Sequence, residues 1–106
     1  MATVITKTKG KTVVTANATD GAITIAEMQT AGLTITIADI VEVFWTVNGT
    51  NTWLIDRGGT ALAQYSGNGN HDYASSGLTL ATGNTSDIGL TLSGGTGFIV
   101  VIVHTR

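Results

Sequence analysis

The chain contains no cysteine and no proline, and charged side chains make up only 11% of its 106 residues. Without cysteine there are no disulfides and no thiolate metal site, and the redox compartment is left open. Without proline, one usual device against stray pairing of edge strands is missing, so something else, such as a partner chain, must protect them. A net charge of −2 offers no electrostatic footing for nucleic acid or an anionic membrane surface. Long apolar runs are lacking too. The longest, residues 98–103, is far shorter than a bilayer span requires. The amino end shows no basic start followed by an apolar run, so synthesis in a cytoplasm and use without export are expected.

What the chain has in quantity is threonine, twenty residues, together with fourteen glycines, ten isoleucines and nine valines. Threonine is polar and β-branched, so it can line the wet face of a pleated sheet without charge. Leu33-Thr34-Ile35-Thr36-Ile37 alternates strictly, and Ile23-Thr24-Ile25, Leu78-Thr79-Leu80 and Leu90-Thr91-Leu92 repeat the device. A period of two in β-branched residues predicts half-buried strands. Further strands are expected at residues 4–8, 11–16, 41–47, 52–56, 61–65 and 98–105. Eight to ten short antiparallel strands in this length predict an all-β, two-sheet sandwich in one domain, residues 1–106, jelly-roll-like by preference and immunoglobulin-like as the alternative.

Between the strands, Asn48-Gly49-Thr50-Asn51 reads as a hairpin turn, and Gly58-Gly59 and Gly94-Gly95 as reversals. Residues 66–77 lack periodicity and read as a long exposed loop. Thr24 and Glu27 have capping-box spacing, which predicts one helical turn over residues 26–31.

One strand does not alternate. Phe98-Ile99-Val100-Val101-Ile102-Val103 is apolar on both faces, whereas a strand of a two-layer sandwich has one face in the core and one outside. Phe44 stands out in the same way against Val41, Val43, Trp45 and Val47. A loop or the helical turn is one possible cover. Burial against another copy of the chain is the stronger expectation, with Phe44, Ile99, Val101 and Val103 as candidate interface residues. Covering three such side chains is worth roughly 1.5–3 kcal/mol each.

Residues able to do chemistry are few. His71-Asp72 lies near Ser66, Ser75 and Ser76, but a nucleophilic triad needs an oriented base and an oxyanion hole, and neither is suggested locally. His71 and His104 without a third ligand make a poor zinc site, and residues 67–72 resemble half of a calcium repeat with too few oxygens. No catalytic residue, metal or cofactor is therefore expected, and the chain is read as no enzyme. His71, Asp72 and Tyr73 remain as a ligand loop in an alternative reading, a tail- or fibre-associated module that binds host glycans. Lys7, Lys9 and Lys11, at every second position, are expected on one face of a strand.

The Met-Ala-Thr-Val-Ile-Thr start, the alternation at residues 33–37 and the Gly94-Gly95-Thr96-Gly97-Phe98 turn carry a resemblance that covers the whole chain. It resembles the small threonine- and glycine-rich β proteins on virions of tailed bacteriophages, and in length most of all the capsid decoration, or cement, proteins. Some of those grip the shell through a long proline-rich or disordered arm, which this sequence does not contain. The resemblance implies a structural virion protein that binds between capsid subunits. Its partners would be the major capsid protein and itself, with a trimer favoured, and neither nucleic acid nor membrane. The lysines at 7, 9 and 11 would then face the shell.

Overall fold

The computed structural model describes residues 3–8, 10–29, 34–73 and 85–106. Nine strands occur among them: β1 (Thr3–Thr8), β2 (Lys11–Ala16), β3 (Asp20–Ile23), β4 (Ala38–Val47), β5 (Thr52–Arg57), β6 (Thr60–Ser66), β7 (Asn68–Asp72), β8 (Ile88–Leu92) and β9 (Gly97–Thr105). All pairs are antiparallel. They form a five-stranded sheet, β1-β2-β9-β4-β7, and a four-stranded sheet, β3-β8-β5-β6. The pairing is nested: β5 with β6, β4 with β7, β3 with β8 and β2 with β9. That is one long double ribbon folded over and rolled, the jelly-roll winding, with β1 added beside β2.

The ribbon turns at Gly58 and Gly59, whose φ of 58° and 91° are left-handed values that suit a two-residue hairpin joining Arg57 to Thr60. Asn48–Asn51 also turns, with Asn51 N–H donating to Asn48 O at 3.3 Å. It joins β4 in one sheet to β5 in the other, however, so it is a crossing between layers and no hairpin. Trp45 and Trp53 are accordingly not cross-strand partners: Trp45 pairs with Ile99 and Gly69, Trp53 with Tyr65 and Leu92.

Alternation places the core between the sheets. Val14, Ile40, Val43, Ile99, Val101 and Val103 from the larger sheet meet Ile23, Trp53, Ile55, Ile88 and Leu90 from the smaller, all fully buried. The Trp53 indole N–H donates to Thr46 O at 3.2 Å, tying one sheet to the other.

The capping box forms as its spacing predicts. Glu27 N–H donates to Thr24 Oγ1 at 3.2 Å, and Thr24 N–H donates to Glu27 Oε1 at 3.0 Å. The helical segment it starts is a 3-10 turn, Ala26–Met28. It turns Met28 into the core, where Thr12 Oγ1 donates to Met28 O. This turn is therefore no cover for the outer face of β9. Residues 34–37 keep the predicted alternation in burial but have no ladder partner; Thr36 and Ile37 N–H groups donate to Arg106 O instead. The expected strand at residues 78–80 lies outside the described residues.

Candidate contact surface

Register assigns every strand residue to a face. In the larger sheet β9 runs between β2 and β4, and its odd-numbered residues point inward: Val101 opposes Val14 and Val43, and Val103 opposes Thr12 and Ile40. Ile99, Val101 and Val103 have no exposed surface in a single chain. They are core, which corrects their assignment to an oligomer interface. Both faces of β9 are apolar, so its own sequence fixes no direction; its neighbours do.

The outward face of the larger sheet is consequently Val100 and Ile102 of β9, flanked by Val13 of β2 and by Phe44 of β4, with Phe98 and Val4 at its margin. Thr15 lies between Val4 and Val100 in the register. Val13, Val100 and Ile102 are half-buried by their neighbours. Val4, Phe44 and Phe98 are 60%, 40% and 46% exposed, and they are the large exposed hydrophobic residues among those described. All three lie on this one face. Phe44 is thus the candidate interface residue that the structure places at the surface.

Polar groups border the patch asymmetrically. Lys11 and His104, directly opposed, lie at one end on β2 and β9. Glu42 and Asp72, also opposed, lie on β4 and β7 on the other side of β9. Beyond Phe44 and Phe98 a shallow depression is lined by Thr46, Asn68 and Gly69.

The lysines do not share a face. The chain reverses between Thr8 and Lys11, so Lys7 and Lys11 sit on neighbouring strands. Lys7 opposes Thr12, on the inward side, and Lys11 opposes Thr8, on the outward side. Lys9 lies outside the described residues. The every-second-residue pattern spans a turn, which resets the parity it relied on. Lys7 itself is exposed on β1, an edge strand of the larger sheet.

His71, Asp72 and Tyr73 do not form an exposed loop. Residues 68–72 are β7, paired with β4, and Tyr73 N–H continues the ladder to Val41 O at 2.9 Å. Gly69, His71 and Tyr73 share the inward side. The His71 ring stacks on Tyr73 at 3.9 Å, and Trp45 stacks on Tyr65 at 4.0 Å. Tyr65 and Tyr73 are joined through their hydroxyls, and Tyr65 Oη lies 3.5 Å from His71 Nδ1. These rings close the gap between the edge strands β6 and β7. A Cβ at Gly69 would lie 3.0 Å from the Trp45 ring, so a larger residue there would need the ring to shift. Burial, and then the Tyr73 hydroxyl, push the Tyr65 phenol above its usual range. Tyr73 is buried, so this member of the expected ligand loop serves the fold.

Arg57 is committed likewise. It is buried, with Nη1 donating to Ala38 O at 2.6 Å and Nη2 donating to Ser86 O at 2.7 Å, which pins β4 to the segment entering β8. Burial lowers its pKa while Asp39 and Asp87 act in the opposite sense, and a guanidinium remains charged there. Among the described residues no group of three or more His, Asp or Glu side chains could hold a metal. Compared with protein-family models, with curated proteins and with solved structures, the chain matches none of them.

Proposed function

We propose that the chain is a non-catalytic structural protein of a tailed-phage virion, decorating and stabilising the capsid by binding between its subunits. The observation that supports this reading is the gathering of Val4, Phe44 and Phe98 with Val13, Val100 and Ile102 on one outer sheet face. A broad apolar face with charges only at its border suits a protein surface better than a small molecule, which needs a concave site. The groups that could do chemistry are occupied elsewhere: His71 is packed between tyrosines, and Arg57 holds backbone carbonyls. A jelly roll serves capsid and lectin domains alike, so the fold by itself favours neither.

The shell contact in this proposal is β1, an edge strand that offers backbone groups for strand addition beside the exposed Lys7. Capsids prepared without the protein and then incubated with it test the reading. Saturable binding at hundreds of copies per particle is the expected result. Recovery of the protein only with tails, or no binding, contradicts it. Removing residues 2–11 is expected to lower occupancy sharply, and unchanged occupancy refutes the edge contact.

A further inference from the structure

We infer that the outer face of the five-stranded sheet is covered by the same face of a second copy, in a two-fold dimer whose axis runs along β9. This deepens the reading of that face as a contact surface and does not depend on the identity of any shell. The face is self-complementary in the sense that an isologous interface requires. A two-fold axis parallel to β9 lays β2 of one copy over β4 of the other, and β1 over β7. Val100 and Ile102 then meet their own counterparts, and Thr15 meets Phe44, because Thr15 and Phe44 both oppose Val100.

Charge follows the same symmetry. Lys11 lies on β2 at the level of His104, while Glu42 and Asp72 lie on β4 and β7, on the opposite side of β9 and two residues along, at the level of Ile102. Overlaying the copies brings Lys11 of each beside the acidic pair of the other. Stacked sheets pack about 10 Å apart, within the combined reach of a lysine and a glutamate. The proposed axis sets Glu42 over Val13 and the alternative two-fold axis, across the strands, sets it over Phe44, but only the proposed axis brings Lys11 to the side of the carboxylates.

The size of the face fixes the strength. Five strands about 4.8 Å apart and some six residues long at about 3.3 Å each make a flat patch on the order of 500 Å² per copy. Standard interfaces bury about 800 Å² per partner, so this dimer falls at the small, reversible end. A trimer, as the decoration-protein resemblance implies, would leave part of an isologous face uncovered.

Sedimentation velocity over about 1 to 300 µM protein, the range in which interfaces of this class exchange, tests the inference. The expected result is a concentration-dependent rise from 10.9 kDa towards twice that mass. Phe44→Ser with Phe98→Ser is expected to stay monomeric throughout, with its thermal midpoint close to wild type. Lys11→Glu alone is expected to weaken association at least tenfold. Adding Glu42→Lys and Asp72→Lys to Lys11→Glu is expected to restore it, which a merely misfolded variant could not do. A monomer at every concentration, a species of three times the mass, or failure of the charge-reversed triple variant to associate overturns the dimer. Loss of association without loss of capsid binding in the phenylalanine variant would separate this inference from the proposed role on the shell.

Discussion

The two sheets share one core but turn different surfaces outward. The four-stranded sheet shows Thr52, Leu54, Asp56, Gln64, Gly89 and Thr91 on its outer side, with Gln64 Nε2 donating to Thr52 Oγ1 at 3.1 Å. The five-stranded sheet shows Val13, Val100, Ile102, Phe44 and Phe98, with Thr15 and Thr46 among them. Valine and threonine have nearly the same shape and both favour strands, so the fold would accept either on either outer face. Their difference is affinity for water. The clustering of valine, isoleucine and phenylalanine on one of the two outer faces is therefore a choice that folding does not require. The proposed second copy would use that difference, since it covers one side only.

The largest effect expected from breaking this comparison is in the layer that both faces share. Trp53→Ala should cost about 3–5 kcal/mol in urea unfolding, because it empties the core and frees Thr46 O. Neighbours on β9 then separate the inner face from the outer. Val101→Ala should cost roughly 2–3 kcal/mol, and Val100→Ala under about 1 kcal/mol at concentrations that keep the chain monomeric. Equal costs would mean that the outer face is already covered within one chain.

A gentler pair of substitutions exchanges the character of the two faces. Val100→Thr with Ile102→Thr should leave monomer stability within about 1 kcal/mol and abolish self-association. Thr91→Val on the other sheet should leave association unchanged. The smallest effect concerns the aromatic edge where the sheets meet. The Tyr65 phenol is raised in the folded state, so the unfolded chain loses its proton first as pH rises past about 10. Stability is full below that pH and declines above it. Tyr65→Phe should flatten this alkaline decline, read as thermal midpoint against pH.

Much of this architecture was legible in the sequence because alternation records which strand faces meet water. The strands at residues 11–16, 41–47, 52–56 and 98–105 and the Gly58-Gly59 hairpin follow from it. Alternation fails where a strand has no wet face or no dry one. Both parities of β9 are apolar, and only pairing with Val14 and Val43 turns Val101 inward. Asn68-Gly69-Asn70-His71-Asp72 has no apolar period, and its strand is imposed by β4 and by the rings that His71 and Tyr73 join. The Gly69, His71, Tyr73 spacing was the available signal. Lys7 and Lys11 were misplaced because a turn between them resets the parity. The apolar outer face was thus visible as an excess of apolar residues but not as a direction.

The most direct measurement of the central claim is zero-length carbodiimide cross-linking of an equimolar mixture of ordinary and ¹⁵N-labelled protein. Mixed-isotope links between Lys11 and Glu42 or Asp72 are the expected products, appearing with concentration and disappearing in the Phe44→Ser, Phe98→Ser variant. Links confined to single-isotope peptides, or mixed links that join other surfaces and leave this face out, would contradict it.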